Sequence, residues 1–180
     1  ERRIASAMSY EAKALGVSRG MPVHQIRKFF PQVIVIPSHY RLYEIFSNRM
    51  YRIISRFTSV VEWYSIDECF ADITGLDVEL GMSYEEIAGE VKRVLLSELG
   101  ITFSVGLATT KVLAKVASKY KKPNGLTLIP QADIEKHLRE TPLGKIWGIG
   151  PQTNSFLAGF GVQSAWDFAS KSETWVREHC

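Results

Sequence analysis

Two cysteines in 180 residues, Cys69 and Cys180, are too few for a disulfide framework and lack the spacing of a thiolate metal site. No apolar run approaches membrane-spanning length, and the opening Glu1-Arg2-Arg3-Ile4-Ala5 has no signal-peptide core. A cytoplasmic protein without membrane contact is the expectation. The four histidines, His24, His39, His137 and His179, are scattered without ligand spacing, and no internal repeat or low-complexity segment is present. The chain does not open on Met, and its first residues read as the inside of a strand, so a piece of a longer chain is expected.

The most informative lack is of acid. From Leu99 to Ala132 there is no Asp or Glu, yet Lys111, Lys115, Lys119, Lys121 and Lys122 all fall there. Lys111, Lys115 and Lys119 are four residues apart, on one face of an expected helix whose apolar side is Val112, Leu113, Val116 and Ala117. A net charge of +3 is too small to name a partner, but a lysine stripe of this density suits a polyanion. A solvated helix face has the same pattern.

What is present reads as a mixed α+β chain with an ordinary 46% hydrophobic content, enough for a real core. A short helix is expected near Tyr10 to Leu15, a strand over 32-QVIVIP-37, and an amphipathic helix from Tyr40 to Phe57. Two alternating runs, Val60–Ile66 and Cys69–Ile73, follow as a hairpin. Ser83 and Glu86 open a second long helix by reciprocal capping, with Ile87, Val91, Val94 and Leu95 as its buried stripe. The strand 101-ITFSVGLA-108, the lysine helix, the Pro123-Asn124-Gly125 turn and the strand 126-LTLI-129 complete the middle. That order is a ferredoxin-like split βαβ arrangement lacking its first strand. Beyond residue 129 only short helical pieces are expected.

The hairpin places two adjacent acids, Asp67 and Glu68, between its apolar runs. Neighbouring strand residues point to opposite faces, so the pair can converge only if the backbone turns there. Two carboxylates about 5 Å apart repel by roughly 3 kcal/mol at an effective dielectric near 20, and a divalent ion relieves that. A solvated turn is the plain alternative. Further on, Gly148-Ile149-Gly150 leads into a helix, a loop that lets backbone N–H groups approach a phosphate, although a simple αα turn has the same signature.

Four stretches, 9-SYEAKALGVSRGMP-22, 64-YSIDECFADITGL-76, 104-SVGLATTKVLAKVASKYKKPNG-125 and 146-IWGIGPQTNSFLAGFGV-162, together resemble the Y-family translesion DNA polymerases, nearest the bacterial polymerase IV and polymerase V branches. The resemblance implies a partial fingers segment over residues 1–39, a palm over 40–128 and a partial helix-hairpin-helix thumb over 129–180. It implies template-directed DNA synthesis past damage, with two Mg2+ ions held by Asp67 and Glu68. The incoming dNTP would be met by Tyr10, Lys13 and Lys122, and primer-template DNA by Lys111, Lys115, Lys119, Gly148 and Gly150. A sliding clamp would be recruited through other segments. Four departures stand out: Lys13 falls where the family has arginine, Cys69 where it has alanine, and neither the third metal aspartate on the first palm strand nor the ribonucleotide-excluding aromatic has a counterpart. This piece alone is therefore expected to be inactive. A non-catalytic DNA-binding or scaffold protein with the same palm and thumb is the competing expectation, and a nucleotide cyclase a weaker one.

Overall fold

The computed structural model describes residues 3–180 and divides the chain into two compact units, Glu1–Ile45 and Phe46–Cys180. In the first unit, α1 (Tyr10–Ala14) starts at Ser9, whose hydroxyl accepts the Ala12 N–H, and α2 (Val23–Phe29) follows a turn at Gly20. Ala12, Val17 and Ile26 form a small core with Met8, Met21 and Phe30 around them. The strand-like start reduces to a single bridge between Ile4 and Pro22. The expected strand over 32–37 does not form. That stretch has no strand partner among the described residues, and Ile34 and Ile36 are 87% and 78% exposed. A strand's backbone groups need a neighbour, and composition alone cannot supply one.

Helix α3 (Tyr40–Ile54) runs from the first unit into the second. Its buried side chains, Ser47, Met50, Ile53 and Ile54, lie toward its C-terminal end, whereas the apolar Leu42, Ile45 and Phe46 are exposed. The core of the second unit explains this, because it begins at Met50: Met50, Ile53 and Ile54 pack against Leu95 and Leu99, with Phe57, Val61, Cys69, Val91, Val94 and Phe103 at the edges.

The hairpin is β1 (Val61–Ser65) paired antiparallel with β2 (Glu68–Ala71), with a register irregularity between Trp63 and Ser65. A short helix, α4 (Leu76–Leu80), leads to α5 (Tyr84–Leu99). The expected capping box is present, with the Ser83 hydroxyl accepting the Glu86 N–H and the Glu86 carboxylate accepting the Ser83 N–H. Strand β3 (Val105–Leu107), helix α6 (Lys111–Tyr120) and strand β4 (Leu126–Leu128) form a βαβ unit, the two strands being parallel. Gly106 makes it possible: a Cβ there would lie 2.0 Å from the Ala114 carbonyl oxygen and 2.4 Å from the Ser118 nitrogen. Only a bare backbone lets α6 approach β3 this closely.

The chain is α+β, but among the described residues its strands form two two-stranded sheets and not the single ferredoxin-like sheet expected. Among the described residues no strand joins β2 to β3. Residues of both, Phe70 and Ala71 on one side and Gly106 and Leu107 on the other, line a groove of about 590 Å³. After Pro130 the chain is helical: α7 (Ile134–Glu140), α8 (Pro151–Ala158), α9 (Ala165–Ala169) and α10 (Glu173–His179). Leu143, Leu157 and Val162 are their fully buried centre, with Ile149, Phe168 and Trp175 around it. Ile134 and Ile146 join the cluster of Val116, Ala117 and Ile129, which ties the helical part to α6.

Candidate functional site

The hairpin turn consists of Ile66 and Asp67, and Glu68 is already the first residue of β2. The two acids therefore have different surroundings. Asp67 is exposed and folded back on its own strand, its Oδ1 accepting the Ser65 hydroxyl at 2.8 Å while the Ser65 oxygen receives the Asp67 N–H at 3.4 Å. Glu68 is half-buried, and its Oε2 accepts from the Lys115 ammonium at 2.8 Å. The hairpin thus meets the lysine helix, across 47 residues of sequence. Ser65 orients the tip, as a hydroxyl two residues before an aspartate readily does.

The lysine stripe is not left without acids. Lys111 pairs with Glu62 of β1 at 2.7 Å and Lys115 with Glu68, while Lys119 donates to the Lys145 carbonyl at 3.2 Å. The acid-free stretch of sequence is matched by acids brought from the hairpin. Burial holds the Lys119 ammonium below the ordinary lysine range, and the nearby positive charges of Lys115, Lys122 and Lys145 act in the same direction, partly offset by Glu68. Lys122 is exposed just past the end of α6, in the cis Lys122–Pro123 bond. Asn124 is left-handed, its carbonyl accepts from Lys92, and Gly125 is tight against the Lys121 carbonyl, where a Cβ would lie at 2.3 Å. The Lys-Pro-Asn-Gly motif is thus a built turn that feeds β4.

Tyr10 and Lys13 are both exposed on α1, three residues apart and so on one face, in the first unit. Gly148 is left-handed at φ +93°, as its loop requires, whereas Gly150 is extended and caps α8, whose first residue is Pro151. The loop is preceded directly by the 3-10 turn Leu143–Lys145, and α7 (Ile134–Glu140) is the nearest α-helix before it.

Residue patterns missed the aromatic cluster beside the acids. Trp147 donates its indole N–H to the Tyr64 hydroxyl at 2.6 Å, meets the Tyr64 ring edge-on at 4.8 Å and stacks on Phe70 at 5.5 Å. The signal was the Trp in 146-IWGIG-150, whose spacing to the hairpin is long-range and leaves no periodic trace. Trp63, 47% exposed, stacks on Tyr51 at 5.1 Å.

Cys69 takes the position next to Glu68 but faces the core with Met50 and Leu95, and burial pushes its thiol up to about 11. The thiolate is the reactive species, so at pH 8 the reactive fraction is about a hundredfold below that of an ordinary thiol. Labelling of Cys69 by Ellman's reagent in the folded protein should be slower than in urea by about that factor. Equal rates would place the thiol at the surface.

The oxygen donors at Asp67 and Glu68 are of the hard kind that suits Mg2+, an ion commonly held by one or two carboxylates plus substrate phosphates. Among the described residues no group of three or more His, Cys, Asp or Glu side chains comes together. The hairpin acids alone are thus fewer than a site built only from protein side chains would need. No helix among the described residues is long and apolar enough to cross a membrane.

The comparisons with known proteins agree with this frame. DNA polymerase IV of Desulfatibacillum aliphaticivorans is 38% identical over 92% of this chain and 42% of its own length, and that of Moorella thermoacetica 39% identical over 92% and 42%. Among solved structures, an insertion ternary complex of Dbh DNA polymerase superposes with a TM-score of 0.85 at 33% identity, covering 97% of this chain and 51% of that one. DinB from Sulfolobus solfataricus gives 0.82 at 33% identity over 96% of this chain and 51% of its own. The chain thus spans less than half the length of these curated relatives and about half that of these solved chains. The model of the impB/mucB/samB family matches residues 1–119, and by that match the chain belongs to this family, the Y-family of DNA polymerases.

Proposed function

We propose that this chain is the catalytic part of a translesion DNA polymerase, with the fingers over 1–39, the palm over 40–128 and the thumb over 129–180. The observation that carries this is the contact of the acid-bearing hairpin with the lysine helix through Glu68 and Lys115, in a chain of this family. Asp67 and Glu68 are the residues that would hold two Mg2+ ions, which activate the primer 3′-hydroxyl and neutralise the triphosphate when bound. The protein's own groups do the rest. Ser65 holds Asp67 in place, the exposed Lys122 is a cation for the triphosphate, and Tyr10 and Lys13 are proposed as triphosphate contacts by their match to the family motif. Lys13 lacks the planar fork of arginine, so it acts as a point charge there. The family's palm has a first strand with a third carboxylate, and the groove between β2 and β3 offers strand residues on both sides for it to pair with. The test is template-directed primer extension by the full-length protein, compared with its Asp67→Asn variant.

Duplex binding falls to Lys119 and the loop of Gly148 and Gly150, with Lys121 and Lys122 beyond the helix end, because Lys111 is paired with Glu62 and Lys115 with Glu68. Lys115 is the poorest candidate of the stripe, its side chain only 13% exposed. Five free lysines would give a log-log salt slope of about −4, and removal of two by ion pairing leaves about −3. The triple variant Lys119→Ala, Lys121→Ala, Lys122→Ala should reduce the slope by about 2 to 3, whereas Lys111→Ala, Lys115→Ala should change it by less than about 1. The reverse order would return the DNA contacts to the N-terminal half of α6.

A second reading, a non-catalytic DNA-binding protein, is favoured by one observation: Glu68 is already neutralised by Lys115. Extension by the full-length protein that depends on Asp67 decides between the two.

A further inference from the structure

We infer that Lys115 is a resident counter-cation for Glu68, held in place by an aromatic box that Trp147 completes, and that a divalent ion must compete with it for Glu68. This rests on the reading of Asp67 and Glu68 as metal carboxylates. The three lysines of the stripe differ in burial. The Lys111 side chain is 53% exposed beside Glu62, whereas that of Lys115 is 13% exposed beside Glu68. An exposed pair exchanges freely with water, but a lysine enclosed by rings does not.

The enclosure is specific. The Lys115 Nζ lies 4.2 Å from the centre of the Tyr64 ring and 5.2 Å from that of Trp147, and it bonds Glu68 at 2.8 Å. The Trp147 indole is itself fixed, by its hydrogen bond to the Tyr64 hydroxyl at 2.6 Å and by stacking on Phe70. Phe70 and Glu68 are two apart on β2 and share a face. Tyr64 comes from β1, Lys115 from α6 and Trp147 from the loop before α8, so the box joins the helical C-terminal part to the carboxylate.

The consequence is electrostatic. Two carboxylates and one ammonium leave the hairpin end with one net negative charge where a dication prefers two. The ammonium is a built-in competitor, and the Trp147 ring keeps it there. Loss of either should therefore tighten metal binding, and loss of Trp147 should matter only while Lys115 is present. Trp147 is a positioning residue, acting on Glu68 through Lys115.

The experiment is Mn2+ binding to the full-length protein without DNA or nucleotide, read from the free-ion EPR signal. Lys115→Met should bind Mn2+ about tenfold tighter and Trp147→Leu about threefold tighter. Lys115→Arg and Trp147→Phe, which keep the charge and a ring, should stay within about twofold of the parent. The double variant Lys115→Met, Trp147→Leu should be no tighter than Lys115→Met alone. If Lys115→Met does not fold, Trp147→Leu against Trp147→Phe makes the same comparison. A Trp147→Leu protein that binds Mn2+ like the parent overturns the box, as does an effect that persists undiminished without Lys115. Asp67→Asn and Glu68→Gln separate the two levels. Weakened binding in both with no response at Trp147 sinks only the box, and unchanged binding in both sinks the metal reading together with it.

Discussion

Asp67→Asn in the full-length protein is expected to lower primer extension by at least about a thousandfold, or about 4 kcal/mol of transition-state stabilisation. The substitution is isosteric and keeps the oxygen that accepts the Ser65 hydroxyl at 2.8 Å, so the turn should hold. What it removes is one of two charges available to a dication at the hairpin end, and the neutral amide is a poor ligand for a hard ion. Asp67 is the sharper target of the two acids, because Glu68 also anchors Lys115 and its loss would disturb α6. The measurement is single-turnover extension of a labelled primer at saturating nucleotide, with DNA affinity measured in parallel. Extension within tenfold of the parent would remove Asp67 from the chemistry and leave the DNA-binding reading in its place.

Gly106→Ala should unfold or severely destabilise the second unit. The added methyl would meet the Ala114 carbonyl oxygen at 2.0 Å, the Ser118 nitrogen at 2.4 Å and the Ala117 Cβ at 2.9 Å. Two of these are backbone atoms of α6, so relief requires the helix to move off β3, which would also shift Lys115 from Glu68. Overpacking commonly costs 1–3 kcal/mol, and a backbone clash this close belongs above that range, at about 4 kcal/mol or more. Against a total stability of about 5–15 kcal/mol the loss is decisive. Thermal unfolding should show a drop of more than about 10 °C or no folded protein at all. Gly89→Ala, in the interior of α5 with nothing within 4 Å, is the matching control and should be neutral or stabilising by up to about 1 kcal/mol. A Gly106→Ala protein as stable as the parent would mean that β3 and α6 are further apart than described.

Much of the local structure was legible from the residues. The capping box at Ser83 and the turn at Asn124-Gly125 are set by neighbours within four positions and are present, as is the apolar side of α6 at Leu113, Val116 and Ala117, whereas Val112 is exposed. The family, too, was readable, since its motifs are contiguous runs in a fixed order. The strand expected over 32–37 was not, because Ile34 and Ile36 carry strand propensity but no partner strand lies beside them among the described residues. The division of the strands into two pairs likewise depends on what lies between β2 and β3.

The site divides along the same line. By itself the sequence determined which residues are acid, which are cationic and that Asp67 and Glu68 stand at the hairpin turn, because these are properties of residue type and short spacing. Only the tertiary structure decided that Glu68 belongs to Lys115, that Lys111 belongs to Glu62 and that Trp147 closes the ring of aromatics. Those partners lie 47, 49 and 83 residues apart along the chain, counting Trp147 to Tyr64. Periodicity reports which face of an element is apolar, but the choice of partner across two elements is set by how their backbones pack, and here that rests on a glycine in β3 that lets one helix come close.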